Sequence, residues 1–194
     1  MRNRNLIVVS LTILALTSGL LLPYDRPDVL IEVHLEMWHY RTVGYSDLFI
    51  PYHPDPIMVP ILELLDYSHH PGVLTNGGAD FAEDQLGDSP ATDPAKWIGV
   101  SNDATAPSVE WTEIPTEITT GGMGRAVATY TNDGTGQWNM TVTFSPTASG
   151  SCQLAGLYWS LAGTTLFCAD QFTQVNYENG DSLQLRFSLT LSGS

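Results

Sequence analysis

The sequence contains very few cations. Its 194 residues include 21 Asp and Glu but only 7 Lys and Arg, which gives a formal net charge of −14, and Lys96 is the single lysine. Binding to nucleic acid or to an anionic membrane surface relies on clustered cations. We therefore expect neither partner. The acidic surplus is typical of a solvated surface, although a salty habitat or cation binding would produce the same composition.

Residue patterns of catalysis are also missing. The chain has no G-x-S-x-G elbow, no H-E-x-x-H helix and no phosphate-binding loop. Glu110 and Glu113 have no identifiable partner carboxylate for sugar hydrolysis. These absences predict a protein that is not an enzyme.

Long apolar runs are confined to the start of the chain. Arg2 and Arg4 precede a run over residues 6–22 that only Ser, Thr and Gly interrupt, and Pro23 ends it. A basic flank followed by an apolar stretch predicts a secretion leader over residues 1–23, formed as a hydrophobic helix. The run of 17 residues is at the lower limit for crossing a hydrocarbon core of about 30 Å, so a cleaved signal peptide and an uncleaved signal anchor both stay open. We expect a secreted or cell-surface protein whose only membrane contact is this segment.

Export would expose the chain to oxidation and glycosylation. Cys152 and Cys168 would suit one disulfide. If residues 161–164 turn a hairpin, however, the two cysteines are offset by about five positions, or about 16 Å, whereas a disulfide needs Cα atoms within about 7 Å. A disulfide in another strand arrangement and two buried free thiols both stay open. The sequon at Asn139 could accept a glycan, although it lies inside a predicted strand.

Period-two alternation predicts a strand over residues 28–40. The four prolines of residues 51–60 predict a connecting loop or an edge, and residues 61–67 are expected to return as a second strand. These segments make up a small N-terminal strand and loop unit, residues 24–71. The apolar side chains on one face of its first strand are Val29, Ile31, Val33, Leu35 and Met37.

The remainder, residues 72–194, is predicted to be one β domain. Residues 78–86 form the best helix candidate because Gly87 can end a helix there. Strands are expected at residues 96–101, 125–131, 137–145, 151–160, 164–169 and 182–192, separated by turn residues. Strict alternation over residues 137–145 and 182–192 gives each of these strands one buried face. The fold class is therefore mainly β: an antiparallel, jelly-roll-like β-sandwich with one short helix.

Several short segments of turn residues, core apolar residues and a helix start occur in this domain. They are Leu74-Thr75-Asn76-Gly77-Gly78-Ala79-Asp80-Phe81, Asp84-Gln85-Leu86-Gly87-Asp88, Pro94 to Asp103, Glu117 to Gly122, Arg125-Ala126, Leu154 to Leu157 and Ser182-Leu183. Together they resemble small β-rich structural proteins of tailed phages, archaeal viruses and archaeal cell surfaces, often described as tail-fibre-like. The resemblance covers roughly residues 72–194 and implies a structural or adhesive role. The leader favours a cell-surface version over a virion part.

Two groups of side chains have metal-ligand chemistry. All five histidines (His34, His39, His53, His69 and His70) fall in the N-terminal unit, but their spacing matches no zinc pattern. Asp80, Asp84 and Asp88 surround the predicted helix and could supply oxygen ligands to calcium. No calcium-binding loop motif accompanies these three residues. Carboxylates also stabilise the N-terminus of a helix, and this role explains them without calcium. Calcium is thus the one cofactor that the sequence leaves open.

The favoured functional hypothesis is an extracellular structural protein, a subunit of a surface filament or similar assembly. In it the strand of residues 28–40 is free to pair with another copy of the chain, and its alternating apolar residues set the register. One alternative is a membrane-anchored adhesive or carbohydrate-binding module that stacks surface glycans on exposed aromatic rings. Another is a virion tail-fibre or decoration protein. A metal-dependent enzyme would instead require the histidines to converge in a pocket.

Overall fold

The computed structural model describes residues 29–48, 57–87 and 94–193. These residues form one helix, α1 (Asn76–Gly87), and ten strands. The strands are β1 (Val29–Leu48), β2 (Ile57–Pro71), β3 (Val73–Leu74), β4 (Trp97–Ser101), β5 (Ala126–Val127), β6 (Thr129–Gly134), β7 (Gln137–Phe144), β8 (Gly150–Tyr158), β9 (Leu166–Tyr177) and β10 (Ser182–Gly193). The expected fold class, an antiparallel β-sandwich with one short helix, is confirmed. The expected leader, residues 1–23, lies outside the described residues.

The strands form two five-stranded antiparallel sheets. The front sheet has the order β2-β1-β10-β7-β6, and the back sheet has the order β3-β9-β8-β4-β5. Strands β5 and β6 follow each other directly but belong to different sheets. The chain changes sheets at Ala128, whose N–H donates to the Lys96 carbonyl at 2.6 Å. The segment expected as one strand over residues 125–131 is therefore two strands.

The core lies between the two sheets. The front sheet contributes alternate residues of β10 and β7, such as Leu185, Phe187 and Phe144, and the back sheet contributes Leu157 and Phe172. Fully burying a side chain of this kind stabilises the fold by about 1.5–3 kcal/mol. The alternation read from the sequence is thus the signature of two sheets that each bury one face.

Strands β1 and β2 are part of this sandwich. β1 pairs with β10 from Val29↔Gly193 to Tyr40↔Ser182, and it pairs with β2 on its other side. Its residues Val33, Leu35 and Met37 belong to the same hydrophobic cluster as the β10 side chains. The boundary expected between residues 71 and 72 therefore does not separate two cores, because β1 and β10 share a single buried face.

Helix α1 covers one end of β9. The Thr75 hydroxyl accepts the Gly78 N–H at 3.0 Å, which is the geometry of an N-cap. This cap starts the helix two residues before the expected position. Phe81 stacks on Trp159 with ring centroids 4.7 Å apart. A Cβ on Gly78 would collide with the Phe167 carbonyl, so the helix can approach β9 this closely only with glycine there. Within the described ranges, no helix is long and apolar enough to span a membrane.

The two cysteines are free and buried. Cys152 pairs with Val175, and Cys168 pairs with Leu157, in the antiparallel β8–β9 ladder. The two thiols therefore lie on neighbouring strands but about five positions apart, or about 16 Å. Of the two alternatives that the sequence left open, the structure shows the free thiols and not the disulfide, because the register keeps the Cα atoms beyond disulfide reach.

Candidate functional site

The β1–β2 hairpin extends beyond the rest of the front sheet. Pairing of β1 with β10 ends at Tyr40, whereas pairing of β1 with β2 continues to Leu48↔Ile57. We name the extension, residues 41–48 and 57–65, the arm. Eight strand residues at about 3.3 Å each give it a length of about 25 Å. Among the strands that the structure describes, only β1 and β2 contribute to this length of sheet.

The arm exposes most of the large hydrophobic side chains found at the surface. Twelve such side chains are exposed among the described residues, and seven of them are in the arm: Val43, Tyr45, Met58, Ile61, Leu62, Leu64 and Leu65. Their exposed fractions run from 37% at Leu65 to 61% at Tyr45. Soluble monomers rarely expose contiguous apolar patches larger than a few hundred Å². The arm is therefore the most conspicuous candidate contact surface.

Apolar side chains occupy both faces of the arm. Leu64 is opposite Tyr40 and Leu62 is opposite Thr42, which places both leucines on the face of the sheet that points away from the core. Ile61 is opposite Gly44 and lies on the other face. Two register shifts, at residues 39/40 and 42/44, interrupt the ladder near the start of the arm, and bulges of this kind increase local twist. No sheet formed by the described residues covers either face.

A buried ionic cluster holds the start of the arm to the sandwich. The Asp181 carboxylate, only 3% exposed, accepts hydrogen bonds from Arg41 Nε at 2.9 Å, from the Glu178 N–H at 2.8 Å and from His39 Nε2 at 2.9 Å. The hydrogen bond from Arg41 is the main reason that the pKa of Asp181 lies well below its usual range. Since Asp181 comes just before β10, the arm leaves the sandwich from a fixed base.

The two sheets differ in how their edges are protected. The back sheet ends in β3 and β5, which have two residues each. The front sheet ends in β2, with 15 residues, and β6, with six. Natural proteins shorten edge strands to prevent pairing between molecules. Pro60 removes one N–H donor from β2, but no strand in the described part of the chain pairs with the rest of this long edge.

The strand that we expected to pair with another copy, residues 28–40, has a different position in the structure from the one in the hypothesis. It is not free: β1 pairs on both sides, and Val33, Leu35 and Met37 are 5%, 0% and 1% exposed. Ile31 is half-buried against the same cluster, and the side chain of Val29 lies outside the described part. The correction has a clear cause, because the matching alternation of β10 gives this strand a partner within its own chain. Of the two hairpin strands, the one with an unpaired edge among the described residues is β2.

The expected metal ligands do not form a site in the described part of the chain. Asp80 is exposed on α1, whereas the Asp84 side chain and Asp88 lie outside the description. The same is true of His53. No three His, Cys, Asp or Glu residues among those described are close enough to hold a metal ion. The described histidines do not converge on one site, since His39 is buried whereas the tilted rings of His34 and His69 lie 5.3 Å apart on the outer face.

The sequon residue Asn139 lies in the middle of β7, between β10 and β6. Its side chain is 7% exposed. A glycan on this amide needs access that the folded sheet does not provide. The predicted glycan at Asn139 therefore stays a prediction that the folded sheet does not favour.

Sequence reasoning missed a polar cluster on the back sheet. Arg125 donates to both carboxylate oxygens of Glu117, at 3.0 and 2.6 Å, and its guanidinium lies 3.5 Å from the centroid of the Tyr158 ring. Arg125 also lines an open cavity of about 440 Å³, together with Glu113, Thr119, Gly124 and Leu161 among others. Its lining has no aromatic ring, and all five tryptophans are half-buried. A sugar-stacking platform is thus not formed there.

The fold and the arm together define the class: an antiparallel two-sheet sandwich that carries a projecting apolar hairpin. Comparison of the chain with family models, with curated proteins and with solved structures finds no match in any of the three.

Proposed function

We propose that this protein is an extracellular structural protein, a subunit of a surface filament or similar assembly, and that the arm is the contact between subunits. The observation that carries the proposal is the arm itself, with seven exposed large hydrophobic side chains and no covering sheet among the described strands. Exposed apolar surface of this extent is characteristic of protein contacts.

The size of the arm suits a stable contact. A standard protein interface buries about 800 Å² on each partner. A two-stranded ribbon about 25 Å long with apolar side chains on both faces offers area of this order if a partner surrounds it. Each Å² of apolar surface removed from water contributes about 25 cal/mol. The leucines of the arm, including Leu62 and Leu64, would supply much of this free energy.

Strand addition remains the mode of contact that we favour, but at β2 instead of β1. The outer edge of β2 has no neighbouring strand among the described residues. An added strand would pair with its main chain, while side chains on the two faces of the arm would give specificity. This arrangement needs no residue of the buried half of β1.

The direction of β1 is consistent with a surface location. From Val29 to Leu48 the strand spans about 60 Å at 3.3 Å per residue. The sequence predicts the leader immediately before this strand. If the leader is retained in a membrane as an anchor, the arm lies at the far end of β1, where neighbouring subunits or a target surface would be met.

A paired substitution tests the proposal. Leu62 and Leu64 are 51% and 50% exposed in the arm, and Leu161 is 54% exposed outside it. The double variant Leu62→Asp/Leu64→Asp should stay monomeric in light scattering and show no filaments by negative-stain microscopy. The wild type and the matched control Leu161→Asp should both assemble, and all three should share one far-ultraviolet circular dichroism spectrum.

Two outcomes would contradict the proposal. A wild-type protein that stays monomeric at high concentration would remove the assembly role and favour an anchored adhesive module. Assembly of the double variant equal to that of the wild type would show that the arm is not the contact. Purification of the wild type inside virus particles would instead assign the same contact to a virion protein.

A further inference from the structure

The surface that binds the arm can be sought on a second copy of the same chain. Resting on the proposed function, we infer that the arm of one subunit docks on the β5–β6 edge of a second copy, in a head-to-tail contact that continues the front sheet from one molecule to the next. The molecule that binds the arm is then another copy of this protein and not an unrelated partner.

The first argument is the position of the remaining exposed apolar side chains. Outside the β1–β2 hairpin, the described residues expose four large hydrophobic side chains: Val109, Val127, Tyr130 and Leu161. Val127 on β5 and Tyr130 on β6 are 56% and 59% exposed. Only two residues separate them along the chain, so both lie where the chain passes from the β5 edge of the back sheet to the β6 edge of the front sheet, and we name this pair the second apolar patch.

The second argument is the open edge at this patch. β6 is the last strand of the front sheet, and all six of its residues are exposed. Tyr130 pairs with Met140, which faces the core, so the Tyr130 ring lies on the inner face at the open side of the sandwich. A strand added to β6 would bring apolar side chains directly beside this ring.

The third argument is charge. Two copies of a chain with a formal charge of −14 repel each other over most of their surfaces. Residues 57–65 of the arm contain one charged side chain, Glu63, and residues 126–134 contain one, Asp133. These two apolar patches therefore allow two copies to approach with little like-charge repulsion.

The topology determines what kind of assembly results. β2 and β6 are opposite edges of one sheet, so joining β2 of one copy to β6 of the next uses two different surfaces. Contacts of this heterologous type leave one free arm and one free acceptor at every stage and build open chains. Pairing of β2 with β2 would instead stop at a two-fold dimer.

Complementary variants distinguish these arrangements. The arm variant Leu62→Asp/Leu64→Asp keeps an intact acceptor, and the acceptor variant Tyr130→Asp keeps an intact arm. Each alone should be monomeric, and a 1:1 mixture should form dimers that grow no further, as measured by light scattering. Val127→Asp provides a second acceptor variant if Tyr130→Asp lowers the circular dichroism signal of the folded sheet.

Cysteine cross-linking maps the contact directly. Burial raises the pKa of the Cys152 thiol to about 12 and also raises the pKa of Cys168, so the native thiols should not react in the folded protein. In an antiparallel pairing of β2 with β6, the outer face of the arm and the inner face of β6 lie on the same side of the joined sheet. Leu62→Cys mixed with Tyr130→Cys should then give a disulfide-linked dimer under mild oxidation. The control mixture of Leu62→Cys with Leu161→Cys should not.

Failure of this inference can be told apart from failure of the proposed function. If the wild type assembles and the arm variant does not, but Tyr130→Asp still forms dimers and Leu62→Cys cross-links to itself, the contact joins arm to arm and the head-to-tail inference is overturned. Flotation of the wild type with phosphatidylcholine vesicles, lost in the arm variant but kept in the acceptor variant, would overturn it by showing that lipid is the occupant.

Discussion

The two halves of the β1–β2 hairpin have similar composition but opposite surroundings. Up to Tyr40 the ladder has β10 on one side and the back sheet over its inner face, so Leu35 and Met37 are 0% and 1% exposed. Beyond Arg41 the same two strands continue without a third described strand beside them, and Leu62 and Leu64 are about half exposed. The comparison shows that apolar strand sequence stabilises this fold only where a second sheet covers it. Elsewhere the same side chains are available to another molecule.

The largest effect should come from shortening a side chain in the covered half. Leu35→Ala should lower the free energy of unfolding by about 2–5 kcal/mol, because it leaves a cavity in a fully buried site. Chemical denaturation measures this change. A loss below about 1 kcal/mol would mean that β1 contributes little to the core and would weaken the distinction between the two halves.

A smaller effect is expected where the two halves meet. Asp181→Asn removes the charge that Arg41 and His39 contact, and it should cost about 2 kcal/mol, typical of hydrogen bonds to charged groups. Because the pKa of Asp181 is lowered in the folded protein, its contribution is present at neutral pH and is lost as the pH falls below about 4. Hydrogen exchange in residues 41–48 should accelerate in the variant more than exchange in β7.

The back sheet, which covers the buried half of the hairpin, should also determine part of the pH dependence of stability. Asp170 on β9 faces the core and is 5% exposed, and its Oδ2 has no hydrogen-bond partner among the described residues. Burial raises the pKa of this carboxyl from 3.8 to about 8. Between these values the folded chain holds a proton that the unfolded chain releases. The free energy of unfolding should therefore fall as the pH rises, by at most about 1.4 kcal/mol per pH unit.

The variant Asp170→Asn isolates this contribution. Its free energy of unfolding should depend less on pH between about 4 and 8 than that of the wild type, as measured by denaturation at a series of pH values. Parallel curves for the two proteins would show that Asp170 is hydrated or paired in the folded state.

The smallest effect is expected in the uncovered half. Leu62→Ala should change the free energy of unfolding of the monomer by no more than about 0.5 kcal/mol, because the side chain is already half in water. Denaturation of a dilute sample checks this value against Leu35→Ala. A cost similar to that of Leu35→Ala would show that the arm folds back onto the sandwich in solution.

Much of the sandwich could be predicted from particular residues. Leu183, Leu185 and Phe187 alternate with polar residues in β10, and only a strand with one buried face imposes that period. The offset of Cys152 and Cys168 also followed from counting residues around one turn. In contrast, the extent of β2 could not be predicted, because Pro60 indicates a loop when read locally and is tolerated in an edge strand.

The candidate site was the part that sequence patterns placed least well. Strand alternation over residues 28–40 predicted a surface for docking, but a strand that can pair with a neighbour can equally pair with its own β10. The signal for the arm was the weakly alternating apolar run of residues 57–65, which contains a single charge, Glu63. A run of this kind looks the same whether it is buried or exposed.

The sequence by itself determined that this chain is acidic, rich in strands and equipped with one-sided apolar faces, because these properties depend on composition and on period. Only the tertiary structure decided which faces are covered. The contact of Arg41 with Asp181 crosses 140 positions of the chain, and no local pattern contains that information. The exposure of Leu62 and the burial of Leu35 depend on where β10 begins, and that is a property of the assembled sheet.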